Sequence, residues 1–262
     1  MRISDKGGFH MQAPLKIAIV TGAGSGIGRA TALALSQENY TVVLAGRNEN
    51  SLTRTADLSK EWNGQMVVCS TDISKPESVS KLFSTVSREF GRLDLLFNNA
   101  GISAPAIPVE ELSIEDWQKI VDVNLNGVFY CTQQAFQMMK KQSPIGGRII
   151  NNGSVSSQAP RPNSIPYTAT KHAVTGLTRA TALDGRKYRI ACGQIDVGNA
   201  ETSMTARMKT GVVQSDHTIK KEPTMSVDNV AKAVIQMANL PLDTNILFMT
   251  IMATNMPLVG RG

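Results

Sequence analysis

The feature that narrows the fold most is a rhythm. Short β-branched runs recur along the chain, and each is separated from the next by a longer stretch of helical periodicity. Strand candidates fall at residues 16–21, 41–45, 65–70, 94–97, 148–152, 189–195 and 245–251, with helix candidates at 27–39, 51–62, 76–90, 114–140, 167–183 and 227–239. A strand followed by a helix returns to the sheet in the same direction, so this order predicts parallel pairing rather than hairpins. The expectation is an α/β fold: a doubly wound, seven-stranded parallel sheet with helices on both faces. With 262 residues, 42% of them apolar, the chain can bury such a core within one domain spanning 15–262. Residues 1–14, with Asp5, Lys6, Gly7, Gly8 and His10, are polar and aperiodic and read as a flexible extension.

Composition removes several function classes. No apolar run approaches the roughly 20 residues that cross a bilayer, and nothing before residue 15 looks like a leader, which points to a cytoplasmic protein without a membrane segment. Cys69, Cys131 and Cys192 are far apart and read as reduced, packed thiols. With His10, His172 and His217 they form no ligand set, so no metal is expected. The formal charge of +6 is dispersed among acids rather than gathered into a stripe, which argues against a nucleic-acid partner.

The first strand runs into Thr21-Gly22-Ala23-Gly24-Ser25-Gly26-Ile27-Gly28 and then an apolar-periodic helix. Glycines allow a tight turn and close backbone approach, and the free amides of a helix start favour a pyrophosphate. A glycine turn by itself serves equally well merely to reverse the chain. At the end of the second strand, Gly46 stands where a carboxylate would bind an adenosine ribose, and Arg47 follows it. A guanidinium there suits a 2′-phosphate, so NADP is the expected cofactor, with NAD possible. The plain alternative is a surface arginine after a turn.

A second cluster lies further along. Tyr167 and Lys171 are four residues apart, hence on one helical face. A free phenol, with a pKa of about 10, is a poor base near neutrality, and a neighbouring ammonium stabilises its phenolate. Ser154 precedes Tyr167 by thirteen residues and follows the strand 148–152, at the carboxyl edge where open sheets hold ligands. Its hydroxyl could polarise a reacting oxygen, or simply satisfy a turn.

The TGAGSGIG turn, Asn98-Asn99-Ala100-Gly101 after the fourth strand, and the Ser154, Tyr167, Lys171 set occur in the order seen in the classical short-chain dehydrogenase/reductase family, which this chain resembles from about residue 15 to the last strand. The resemblance implies a Rossmann-type fold and hydride transfer between nicotinamide and a carbonyl or secondary alcohol, with Tyr167 as general acid/base. It further implies that Ser154 polarises the oxygen and that Lys171 supports Tyr167 and holds the nicotinamide ribose. Asn124 would anchor a water on a proton path to the lysine. Gly22, Gly24, Ser25, Gly26, Ile27 and Gly28 would cradle the cofactor. Asp72 and Ile73 would flank its adenine, and Asn99, Ala100 and Gly101 its adenosine ribose.

By the same analogy the protein forms a homo-oligomer, dimer or tetramer, through the helices 114–140 and 167–183. One stretch departs from the family: residues 193–202 lack the usual Pro-Gly pair and read as longer, leaving Thr202 as the expected nicotinamide neighbour. The final residues 249–256 lack the family's glycine-containing finish. Two further stretches, 159–166 with its three prolines and 199–224, read either as loops around a pocket or as ordinary long surface connections. A catalytically idle dinucleotide-binding redox sensor is the competing reading.

Overall fold

The computed structural model describes residues 15–62 and 64–259; the amino-terminal extension expected at 1–14 lies outside them. Nine strands occur among the described residues: β1 (Lys16–Thr21), β2 (Tyr40–Gly46), β3 (Met66–Ser70), β4 (Leu95–Asn98), β5 (Gly147–Asn152), β6 (Ile190–Val197), β7 (Val212–Val213), β8 (Ile219–Lys220) and β9 (Phe248–Ile251). Seven pair in the order β3-β2-β1-β4-β5-β6-β9, all neighbours parallel, while β7 and β8 form a separate antiparallel hairpin. The strand order reverses between β1 and β4, and the crevice at such a switch point is where open sheets bind ligands. The helices are α1 (Gly26–Gln37), α2 (Glu49–Asp57), α3 (Pro76–Phe90), α4 (Ile114–Val121), α5 (Gly127–Lys141), α6 (Ile165–Gly185), α7 (Arg207–Thr210) and α8 (Val227–Ala238).

Alternation along β1 explains the two layers. Ala18 and Val20 face a core with Leu44, Phe97, Leu35 of α1 and Val230 and Val234 of α8. Ile17 and Ile19 face a second core with Leu82 and Phe83 of α3 and Ala135 and Met139 of α5. Strands covered on both faces must be apolar on both, which is why they read as continuous hydrophobic runs. Each fully buried Leu, Ile or Val contributes about 1.5–3 kcal/mol.

Boundaries differ from the sequence expectation where side chains take over backbone roles. Asn48 accepts from the Ser51 amide, so α2 starts at Glu49 rather than 51. The expected single helix 114–140 is two helices joined by a π-helical turn at Asp122–Asn126. Pro166 sits in the first turn of α6, where its missing N–H costs nothing, so that helix absorbs two residues expected to be loop. β6 continues two residues past 195 because Asp196 and Val197 pair with Thr250 and Ile251. β9 starts at Phe248, not 245: Asn245 instead accepts from Arg148 Nη1 and donates to the Cys192 carbonyl through its side chain. The region 199–224, expected to be loop, contains a 3-10 turn at Ser203–Thr205, then α7 and the β7–β8 hairpin. Among the described residues no helix is long and apolar enough to cross a membrane.

Candidate active site

A cavity of about 540 Å³ opens over the carboxyl ends of the strands. At one end lies the turn between β1 and α1. Gly22 adopts φ +67°, a conformation glycine takes without strain, and a Cβ on Gly28 would lie 2.2 Å from the Gly22 carbonyl oxygen, so α1 can pack onto the turn only through glycine. Gly22, Ser25, Gly26 and Ile27 line the cavity. Gly24 and Gly28, expected to bind cofactor, are absent from its wall. Both sit where a Cβ would clash, one on Gly24 falling 2.4 Å from Ser51 Oγ. Arg29 stiffens the turn, donating to the Gly24 carbonyl and to Thr55 Oγ1.

The adjoining wall carries Gly46, Arg47, Asp72, Ile73, Asn99, Ala100 and Gly101. The Asp72 carboxylate accepts from the amide and hydroxyl of Ser74 through Oδ1. The Asn99 side chain is directed into structure as well as cavity: its Nδ2 donates to the Thr21 carbonyl at 2.9 Å, and its Oδ1 accepts from Asn152 Nδ2 at 2.9 Å. These bonds tie β1 to the end of β5.

Ser154, Tyr167 and Lys171 line the same cavity. Ser154 lies two residues past β5 and caps the 3-10 turn Val155–Ser157; its Oγ accepts from the Ser156 amide at 3.1 Å, which leaves the hydroxyl proton for another acceptor. Tyr167 and Lys171 lie one turn apart on α6, with the ammonium 5.6 Å from the Tyr167 ring centroid. Lys171 Nζ donates to the Asn152 carbonyl at 2.6 Å, which locks the lysine to the strand leading to Ser154. Asn124 is different. It is buried in the π turn, and both ends of its amide are bonded to the backbone of Ile102, Oδ1 accepting from the N–H and Nδ2 donating to the carbonyl. Its side chain therefore shapes the loop after β4, with one of its two N–H donors and one of its two lone pairs used in these bonds.

Thr202 also reaches the cavity, at the start of the 3-10 turn, where its amide donates to Thr205 Oγ1. A Cβ on Gly26 would meet Thr202 Cγ2 at 3.0 Å, so this segment rests on the glycine turn. With β6 extended to Val197, Gly198 follows the strand directly. Beyond it, Arg161, 14% exposed, forms a bidentate pair with Glu222, only 1% exposed. Asn199 and Gln214 also donate to that carboxylate, at 2.8 and 2.9 Å. Burial works against ionising Glu222, but these donors outweigh it and hold its carboxyl down at about 2. Sequence reasoning missed both partners, along with Asn152, Gln194 and the buried Asp196.

Comparison with known proteins assigns the class. The short chain dehydrogenase family profile matches residues 16–212. The chain is 38% identical over 207 residues to a 3beta-hydroxysteroid dehydrogenase of Mediterraneibacter gnavus, covering 79% of this chain and 74% of that enzyme. Among solved structures it resembles the 3-ketoacyl-(acyl-carrier-protein) reductase from Brucella melitensis complexed with NADH, with TM-score 0.80, 25% identity and 92% and 98% of the two chains covered. It also resembles a variant actinorhodin polyketide ketoreductase with NADPH, with TM-score 0.82, 26% identity and 90% and 95% covered. The chain belongs to the short-chain dehydrogenase/reductase family. It is thus an NAD(P)-dependent oxidoreductase acting on alcohol or carbonyl groups.

Proposed function

We propose that this chain interconverts a ketone and a secondary alcohol on an apolar, ring-shaped substrate, with Tyr167 as general acid/base and NADP(H) as the preferred cofactor. The observation that carries the reading is one cavity whose wall holds Ser154, Tyr167 and Lys171 together with the glycine turn and Arg47. The turn suits a pyrophosphate, and Arg47 suits a 2′-phosphate. The bound dinucleotide supplies or accepts the hydride. Ser154 donates to the substrate oxygen, Tyr167 gives it a proton in reduction or takes one in oxidation, and Lys171 lends positive charge to the oxyanion form of Tyr167. Asn152 holds Lys171 in place through its carbonyl.

The substrate class rests on the far wall, where Val155, Met204, Met208, Val212, Val213 and Ile219 gather, and on the hydroxysteroid substrate named for one relative. The test follows NADPH and NADH oxidation with a panel of cyclic ketones, 3-ketosteroids, open-chain 2-oxo acids and acyl thioesters. The expected result is turnover of the neutral cyclic ketones, faster with NADPH. Dinucleotide binding without turnover of any member would favour the idle sensor instead.

A further inference from the structure

Asp196 is the least expected residue near the reacting groups. It lies on β6 and is only 3% exposed, in a place where an apolar side chain would avoid the cost of burying a carboxylate. The surroundings are built around it. A Cβ on Gly153 would come within 2.1 Å of Asp196 Oδ1, so glycine at 153 is what lets the carboxylate reach the chain leading into Ser154.

Oδ1 accepts from two donors, the Ser154 amide at 3.1 Å and Gln194 Nε2 at 2.7 Å, and Oδ2 accepts from Gln158 Nε2 at 3.5 Å. Gln194, fully buried, also donates to Thr175 Oγ1 and accepts from Thr178 Oγ1, both 3.0 Å away on α6. That helix carries Tyr167 and Lys171. One carboxylate oxygen thus joins the loop holding Ser154 to the helix holding the other two groups. Lys171 fastens the same junction from the opposite side, through the Asn152 carbonyl.

We propose that Asp196 is a positioning residue for this site, its carboxylate fixing Ser154 at working distance from Tyr167 and Lys171. The inference rests on the reading of those three residues as the reacting set. Largely buried networks of this sort set geometry more than they add stability, and small displacements of a positioned group cost rate rather than binding. Of the charged groups around it, Lys171 on α6 favours the ionised form, as do the donors Gln194, Ser154 and Gln158, while burial, the strongest influence, pushes the carboxyl above its ordinary 3.8. Protonation takes the charge off the acceptor of these bonds and so weakens the junction.

The link can be read without any substrate. In the wild-type chain, the 15N–1H resonance of the Ser154 amide should titrate with an acidic midpoint above 3.8, and in Asp196→Asn it should not titrate. With a ketone that the enzyme turns over, D196N should lose about tenfold or more in kcat, with cofactor Kd and substrate KM changed less than about threefold. The acid limb of the wild-type kcat profile should coincide with the amide midpoint and be missing in D196N. A Ser154 amide that is flat through the acid range, or D196N turnover equal to wild type, overturns the proposal. Should the variant not fold, the wild-type amide titration and its match to the kcat limb decide alone. If no carbonyl is turned over, the functional reading fails while the amide titration still judges the Asp196–Ser154 tie.

Discussion

Arg47 stands one residue past β2 on the cavity wall, with Gly46 rather than a carboxylate ahead of it. A guanidinium fork pairs with a 2′-phosphate through charge-assisted bonds of about 1.5–3 kcal/mol. Arg47→Ala should therefore cut kcat/KM for NADPH roughly tenfold or more and leave NADH nearly unchanged, at fixed ionic strength. Gly46→Asp should move preference further to NADH by repelling the phosphate. The nearest atom to its Cβ is Leu52 Cδ2, at 3.3 Å, a contact a leucine can yield. Equal cofactor kinetics in wild type and Arg47→Ala would make Arg47 a surface residue. Lys171 has two duties in this account, so Lys171→Ala should raise cofactor Kd and lower kcat together. An unchanged Kd would remove the ribose contact.

At the scale of elements, what could be read from the sequence was whatever local chemistry dictates. Glycine at a strand-to-helix turn, Tyr167 and Lys171 one helical turn apart, and Ser154 just past a strand are all short-range patterns. The rest depends on residues distant in the chain. Ser154 and Asp196 are 42 positions apart, and Arg161 and Glu222 are 61 apart, so no window on the sequence joins them. Asn124 is a mixed case: its position was legible, but the bonds of its amide to Ile102, 22 positions away, were not.

The Arg161–Glu222 pair ties the segment containing α7 and the β7–β8 hairpin to the loop before α6, across the substrate side of the cavity. Glu222→Ala leaves a guanidinium buried without its carboxylate, and breaking a buried pair in this way costs about 3–5 kcal/mol. The melting temperature should fall by about 6 °C or more. Because the folded carboxyl is held at about 2 against an ordinary 4.5, its contribution is complete above 4.5 and is lost as pH falls from there towards 2. The difference between wild type and Glu222→Ala in denaturant unfolding should shrink across that window. A difference independent of pH would mean that the carboxylate's charge is not what holds the segment.

For the molecule as a whole, the parallel sheet brings the ends of β1, β2, β4, β5 and β6 to one edge, and there the glycine turn, Arg47, Ser154 and the α6 pair meet in one cavity. The opposite consequence of the same architecture is an outer surface where Phe129 of α5 and Leu183 of α6 remain 44% and 60% exposed. We propose that these helices carry self-association, so sedimentation should give a dimer or tetramer, and replacing both residues with Glu should give the monomer. A monomeric wild type would contradict this. The central claim is the role of Tyr167, and the most direct measurement compares wild type with Tyr167→Phe for cofactor Kd and for single-turnover reduction of a cyclic ketone. The account predicts an unchanged Kd and a rate lower by about 10²–10⁴-fold. A Phe variant that turns over at the wild-type rate would contradict it.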